Sequence, residues 1–381
     1  MMQISPETQL FIREHSSDDV RVLALQAKKY PDIDMPTAIT QIAGRKVAAE
    51  KIPSWWEIEK IWYPKHLSLE QCSSEITARY KARLLQGDSL TDLTGGFGID
   101  CSFLATGFKS ATYVERQEEL CEIAAHNFPV LNLNHINIKN EDGVTYLQAM
   151  SPVDCLFLDP ARRNEHGGKT VAISDCEPNV AELEELLLQK ANRVMIKLSP
   201  MLDLSLALKE LKQTQEVHIL SVNNECKELL ILLGQTSPTE ISIHCVNLST
   251  KGTQEEQHFV FTREQEQCSE CTYTDSLETY LYEPNASLLK AGAFRSIAAA
   301  YPVRKLHPNS HLYTSDTFIE NFPGRIFRIV NQCSFNKKEV KENLADLKKA
   351  NVTVRNFPAT VAELRKRIHL AEGGDTYLFA S

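Results

Sequence analysis

The chain has 381 residues, 43% hydrophobic and 24% charged, with 41 Lys and Arg against 50 Asp and Glu for a formal net charge of −9. That length allows roughly two to three domains with full-sized cores. The charge excludes a protein that coats nucleic acid indiscriminately, and no apolar run approaches the ~20 residues of a membrane span. Ten cysteines are scattered without the pattern of a disulfide scaffold, and the opening Met-Met-Gln-Ile-Ser-Pro lacks the basic and apolar regions of a signal peptide, so a cytoplasmic protein with reduced thiols is expected.

Residues 1–70 read as a helical subdomain. Asp18 and Asp19 stand before the apolar run Val20, Val22, Leu23, Leu25 and Ala27, which closes before Pro31, and a second run spans Thr37 to Lys51. Trp55, Trp56, Trp62 and Tyr63 then cluster among prolines. Such a cluster either packs helices onto a neighbouring layer or forms part of a substrate wall. The polar turn Gln71-Cys72-Ser73-Ser74 follows, and either serine is placed to cap a helix running through Ala78 and Leu84.

The most informative stretch is Ser89-Leu-Thr-Asp-Leu-Thr-Gly-Gly-Phe-Gly-Ile-Asp100. A strand runs into a glycine-rich turn, and a helical segment (Ile99 to Ala105) starts at once. Gly95, Gly96 and Gly98 let backbone approach a ligand, and the free N–H groups of the new helix point into the same crevice. A second strand, Ala111 to Glu115, ends in a carboxylate where nucleotide-binding α/β folds hold ribose hydroxyls. A third run, His135 to Ile138, leads to Glu141-Asp142-Gly143, and a fourth, Val153 to Leu158, ends in Asp159-Pro160-Ala161-Arg162. Ligand groups at successive carboxyl ends of parallel strands suit a nucleoside-bearing cofactor. The turn lacks both the dinucleotide fingerprint and the lysine loop of NTPases, which favours a cofactor with adenine and ribose but no phosphate. A nicotinamide enzyme, or a nucleotide fold without activity, stays open on these residues alone.

A helix (Asn179 to Lys190), a fifth strand (Arg193 to Leu198) and a helix opened by Asp203 come next. Val217 to Val222 and Leu229 to Leu233 form a candidate antiparallel hairpin, which Ile241 to Val246 and Phe259 to Thr262 extend. Past residue 275 the pattern restarts: strand Arg325 to Val330, helix Asn336 to Lys349, strand Asn351 to Arg355, helix Thr360 to Ile368, strand Thr376 to Ala380. Such a run can fold as a small separate α/β module. From Ile319 onward eleven Lys and Arg face seven Asp and Glu, so this end is locally basic.

Asp92-Leu-Thr-Gly-Gly-Phe-Gly98, Glu115, Asp142 and Asp159-Pro160 resemble the successive motifs of class I S-adenosylmethionine (SAM)-dependent methyltransferases. The C-terminal motifs Tyr282-Glu-Pro-Asn-Ala286, Phe322-Pro-Gly-Arg325, Arg355-Asn-Phe-Pro358, Ala362-Glu-Leu-Arg-Lys-Arg367 and Gly373-Gly-Asp375 resemble a bacterial family of such enzymes with a ferredoxin-like piece and a THUMP-like domain. The resemblance implies an α/β fold: a Rossmann-like seven-stranded methyltransferase sheet, an N-terminal helical subdomain (1–70) and a small C-terminal α/β domain. On that reading the methyltransferase domain covers 71–265, the ferredoxin-like segment 275–318 and the THUMP-like domain 319–381. SAM is then the cofactor. Asp92, Thr94, Gly95, Gly96 and Gly98 form its loop, Glu115 takes the ribose and Asp142 the adenine amine. Gln71, Ser73 and Ser74 are contacts from a covering turn seen in RNA-acting members. Asp159 and Pro160 face the acceptor, and RNA is the implied partner.

Amino-methyltransferases use an Asp/Asn-Pro-Pro-aromatic motif, whereas this chain reads Asp159-Pro160-Ala161-Arg162. The second proline and the ring are missing. Arg162 and Arg163 either stack on a base or grip a phosphate, or are simply solvated. No cysteine follows the fifth strand, where Lys197-Leu-Ser-Pro200 stands, which argues against covalent methylation of pyrimidine carbon. Lys197 either touches substrate or is, as a strand-end lysine more often is, simply solvated. Cys268-Ser-Glu-Cys271 has metal spacing without a second pair, so no metal is expected. The expected activity is methylation of an RNA base nitrogen. The alternatives are a non-catalytic RNA-binding protein on this scaffold and a methyltransferase for a protein or small molecule.

Overall fold

The computed structural model describes residues 4–162, 172–236, 238–251, 256–345 and 347–381. They form two units, one of residues 1–217 with 228–241 and the other of residues 218–227 with 242–381.

The first unit opens with helices whose starts are set by side chains. Ser5, Asp19 and Asp34 accept N–H groups at the beginnings of α1 (Pro6–Glu14), α2 (Val20–Leu25) and α3 (Met35–Lys51). Each removes one of the unpaired donors a helix start exposes. Phe11, Leu23, Met35, Ala38 and Ile42 close a core among these helices. A second core joins Ala48, Ile52, Trp55, Tyr63 and Leu69 to Phe97, Ile99 and Ile123, so the aromatic cluster packs the helices against the glycine turn and its helix. The rings of Trp55 and Phe97 meet edge to face at 5.2 Å. Trp56 remains exposed.

Seven strands follow: β1 (Ser89–Asp92), β2 (Ser110–Glu115), β3 (Ile136–Asn140), β4 (Val153–Leu158), β5 (Ala191–Leu198), β6 (Thr214–Val222) and β7 (Glu225–Gly234). Their hydrogen-bonded order is β6-β7-β5-β4-β1-β2-β3. β1 pairs in parallel with both β2 and β4, β2 with β3, and β4 with β5, whereas β7 runs antiparallel to β5. This is the strand order expected from the sequence. Near-continuous burial of Leu156–Leu158, Val194–Leu198 and Leu229–Gly234 reflects helices on both faces. Asn223 and Asn224, both at positive φ, turn the β6–β7 hairpin as a two-residue loop requires. The topology places the crevice, because the chain order reverses between β1 and β4.

In the second unit β8 (Ser242–Leu248) pairs antiparallel with β9 (Glu256–Thr262). A four-stranded sheet combines Arg304–Lys305, Tyr313–Ser315, Tyr280–Pro284 and Gly324–Arg328, in that order. The strand expected to open the C-terminal module therefore joins the preceding segment, pairing Leu281 with Phe327 and Glu283 with Arg325. Asn351–Val354 and Tyr377–Ala380 form a parallel pair linked through the helix Val361–Ile368, which Thr360 and Glu363 cap reciprocally. The helix expected over 336–349 stops at Asn343. Chain pairing intervenes, since Lys349 bridges to Ala371 and the Ala350 N–H donates to the Ala371 carbonyl.

Candidate active site

Carboxyl ends of neighbouring parallel strands bring Asp92 (β1), Glu115 (β2), Asp159 (after β4) and Lys197 (β5) to one edge of the sheet. The glycine turn lies between the first two. Gly96 has φ +53° and Gly98 φ +86°, conformations that L side chains rarely adopt. A β-carbon on Gly95 would stand 2.3 Å from the ring of Tyr113, which is fully buried, while one on Gly96 would meet only the Thr94 carbonyl at 3.8 Å. Gly95 is thus needed for packing beneath the turn, and Gly96 for the backbone's course. The Tyr113 hydroxyl donates to the Gly96 carbonyl from below.

Glu115 is 8% exposed. One of its oxygens accepts the Gly96 N–H at 2.9 Å and the other the Gln117 N–H at 2.8 Å, which fixes the carboxylate against the turn. Asp92 accepts the Thr94 N–H at 2.9 Å through Oδ1. Its Oδ2 is buried and has no hydrogen-bond partner. Burial pushes the Asp92 carboxyl up to about 8, with the charges of Asp100 and Asp159 adding to the rise. Thr94 also accepts the Asp159 N–H at 2.6 Å, so one hydroxyl couples the ends of β1 and β4. Asp142 caps the helix Gly143–Ala149, its Oδ1 accepting the Val144 and Thr145 N–H groups at 3.0 Å. Pro160 is buried behind Asp159.

Behind Asp159 lies a network that the sequence reading missed. Lys197 is not solvated but 7% exposed. Its ammonium lies 2.5 Å from Asp159 Oδ2, 3.2 Å from Asp100 Oδ2 and 3.0 Å from Ser73 Oγ. Lys81, on the helix Glu75–Ala82, is fully buried. It lies 2.6 Å from Glu228 Oε2, 2.9 Å from Asp100 Oδ1 and 2.8 Å from Ser73 Oγ. Ser73 donates to Asp100 at 2.7 Å, and Thr77 donates to Glu228 at 2.8 Å. Burial alone would raise the Asp100 carboxyl, but the two ammoniums overcome it and hold the group well below the usual range. Burial works to lower Lys197, yet Asp159, Asp100 and Glu228 carry it well above the ordinary lysine value.

The polar turn thus divides in its roles. Ser73 is absorbed into the network, Ser74 takes the N-cap position with its hydroxyl 3.2 Å from that of Thr77, and Gln71 ends its short helix exposed. Arg162 is described through its backbone, which pairs with Cys176, and Arg163 lies outside the described residues. Of the network's members, the sequence reading named Ser73, as a cofactor contact, and quoted Asp100 at the end of the glycine-rich stretch without giving it a role.

Residues 280–323 match the model of a ferredoxin-like domain, and residues 324–381 that of a THUMP domain-like family. No curated protein matches the chain. Among solved structures, one from Porphyromonas gingivalis W83, described as a "putative methyltransferase", is 34% identical, with 100% of this chain and 96% of that chain covered at a TM-score of 0.87. An rRNA methylase from Streptococcus thermophilus overlaps 42% of this chain and 93% of its own at 14% identity and a TM-score of 0.31. A Streptococcus mutans protein described as a "putative methyltransferase" in complex with SAH has the same identity and TM-score, over 42% and 96% of the two chains. The full-length match and the two C-terminal domains show that the chain belongs to the bacterial class I methyltransferase family that carries a ferredoxin-like piece and a C-terminal THUMP-like domain.

Proposed function

We propose that this protein transfers a methyl group from SAM to a nitrogen of an RNA base. One observation carries the reading: at the end of β1 a buried carboxyl oxygen of Asp92 has no partner, beside a turn whose backbone is bare of side chains. An unpaired buried carboxyl oxygen costs about 1–3 kcal/mol unless a partner reaches it, and the ammonium of SAM's methionine part is such a partner once the carboxyl gives up its proton. The turn supplies close backbone approach, and Glu115 a carboxylate already oriented for a ribose diol. Asp142 keeps its second oxygen for the adenine amine, and Gln71 and Ser74 stand at the covering turn. No lysine or arginine occupies the glycine loop itself, which suits a cofactor without phosphate.

Bound SAM supplies an activated methyl group to a nucleophile placed in line with it. What the chain contributes is placement: Thr94 fixes the backbone of Asp159, Pro160 stiffens the segment, and Asp159 faces the acceptor. Arg162 and Arg163 follow as contacts to a base or phosphate. The basic C-terminal end supports RNA as the partner, as does the exposed cluster in which the Arg367 guanidinium lies 5.5 Å from the centre of the Phe335 ring.

Calorimetry of SAM binding to the wild type and to Glu115→Ala tests the cofactor part: a folded variant that has lost binding is expected, and unchanged affinity removes the assignment. Labelled methyl incorporation from SAM, measured separately in RNA, protein and metabolite fractions, tests the acceptor. Label confined to protein or metabolites would end the RNA reading.

A further inference from the structure

Five ionisable side chains meet behind the end of β4, and their charges do not cancel. Among the described residues, Asp100, Asp159 and Glu228 have only Lys81 and Lys197 at ion-pair distance, with Lys51 acting on Glu228 from farther away. Each ammonium has three protons and three partners, so neither has a donor left over. One negative charge is in excess. It has one outlet, because the Asp159 side chain is 37% exposed while those of Asp100 and Glu228 are 10%, Lys197 9% and Lys81 0%.

We propose that Asp159, positioned by Lys197, is the general base of the transfer, and that the acceptor is a ring nitrogen still carrying a proton next to a carbonyl, as in guanine or uracil, rather than an exocyclic amine. The inference rests on the methyl-transfer reading above and narrows its acceptor. An exocyclic amine needs its two hydrogens held and a ring stacked on the base, whereas here Ala161 stands where the motif of amino-methyltransferases continues with proline, and Arg162 follows in place of the ring. One Asp159 oxygen is moreover already taken by an ammonium at 2.5 Å. A ring N–H beside a carbonyl is a poor nucleophile until its proton leaves, and removing that proton is the task of a positioned carboxylate.

The surroundings of Asp159 fit that task. Lys197 reaches it from β5, with Asp100 behind from the helix Ile99–Ala105, Lys81 from the helix Glu75–Ala82, Asp92 from β1 and Glu228 from β7. Burial raises its affinity for a proton and Lys197 opposes the rise, leaving a carboxyl above its ordinary value. In the step itself, the acceptor N–H gives its proton to the Asp159 oxygen not held by Lys197. The freed electron pair forms the bond to the methyl carbon as the carbon–sulfur bond breaks, with its pair left on a neutral thioether. Asp159 then returns the proton to water through its exposed edge.

The test has two arms on the full chain. In the first, RNA incubated with SAM and protein is digested and its nucleosides are identified by mass spectrometry. Methyl on a ring nitrogen is expected, with Asp159→Asn slower by about 100-fold or more. Methyl on an exocyclic amine, or Asp159→Asn within tenfold of the wild type, overturns the proposal. RNA left without any methylated nucleoside removes the underlying reading and this inference together.

The second arm needs no cofactor: the Asp159 carboxyl is titrated by 13C NMR in the free protein and assigned by its loss in Asp159→Asn. Lys197→Met should move its midpoint upward by about one unit or more, and Lys197→Arg should bring it back. In the loaded enzyme the rising limb of kcat against pH should shift the same way. A midpoint indifferent to Lys197 in folded variants refutes the positioning role. Should Lys197→Met fail to fold, Lys197→Arg and Lys197→Gln carry the same comparison.

Discussion

Replacing Lys81 by methionine tests whether the buried network holds the first unit together. The two side chains are of similar length, so the change removes a charge without opening a large cavity. Lys81 is fully buried, and its ammonium is the only cation within ion-pair distance of Glu228 among the described residues. In Lys81→Met, Glu228 keeps only the hydroxyls of Thr77 at 2.8 Å and Ser73 at 3.3 Å, and Asp100 keeps Lys197 and Ser73. Two buried carboxylates and the half-buried Asp159 then face one ammonium. Breaking a buried pair from one side costs about 3–5 kcal/mol, because the remaining charge is left uncompensated. For a unit of this size that corresponds to a fall in Tm of about 10 °C.

All three tryptophans, Trp55, Trp56 and Trp62, lie in the first unit, so fluorescence during urea or thermal unfolding reports on it selectively. The charge count adds a sharper expectation. Lys81→Met with Glu228→Gln restores the wild-type excess of one carboxylate, so the double variant should recover about half of the loss. Glu228→Gln alone leaves two ammoniums with two carboxylates and should cost less than Lys81→Met. A loss below about 1 kcal/mol for Lys81→Met, or a double variant no better than the single, would refute the view of the network as a unit whose stability follows its charge count.

The remaining expectations use the same elements. Gly95→Ala drives a methyl group into the buried Tyr113 ring and should lower stability by about 1–3 kcal/mol and abolish SAM binding, whereas Gly96→Ala should cost about 1–2 kcal/mol in backbone strain and fold normally. Thermal unfolding with calorimetry separates the two. Asp92, raised to about 8 in the folded chain, binds a proton there that the unfolded chain has released above its ordinary value near 4. Stability should therefore fall as pH rises from about 4 to 8, and Asp92→Asn should flatten that slope by at least ~1 kcal/mol in urea titrations. Asp100 has the opposite sign: held below the usual range, it contributes stability above about pH 4 that is lost as pH falls through its folded value, and Asp100→Asn should weaken that acid-side loss. In the second unit, Glu283 is 1% exposed and accepts Arg325 Nε at 2.9 Å and Arg355 Nη2 at 2.7 Å. Both arginines are about one-third exposed, so Glu283→Gln should cost only about 1–3 kcal/mol by calorimetric scanning.

Much of the fold was legible because its signals are local. Asp19, Asn179, Asp203, Asn336 and Thr360 each announce a helix through a hydrogen bond made within three residues, and every one of those helices begins there. The strands of the sheet were visible as apolar runs bounded by glycine or acid, and the order of ligand groups at their ends placed the crevice. Strand partnership was harder. Nothing around Gly324–Arg328 says whether it pairs forward or backward along the chain, and pairing with Tyr280–Pro284 depends on matched registers some forty residues apart.

The site was legible to the same depth and no further. Asp92, Gly96, Glu115 and Asp159 could be named because each belongs to a motif contiguous with its strand. Ser73, Lys81, Asp100, Lys197 and Glu228 belong to five separate segments spread over 155 positions, and only Ser73 stands in a turn the sequence points to, there as a cofactor contact. A lysine at the end of a strand is ordinarily solvated, so Lys197 reads as bland until its neighbours are known. What turns it into a functional group is the count of charges around it, and that count exists only once β4, β5 and β7 bring carboxylates from distant segments against two ammoniums. Local sequence announces where a ligand enters, while the excess charge that decides what happens to a proton there belongs to the tertiary fold. Changing Lys197 or Glu228 should therefore retune Asp159 without touching any motif from which the enzyme class was read.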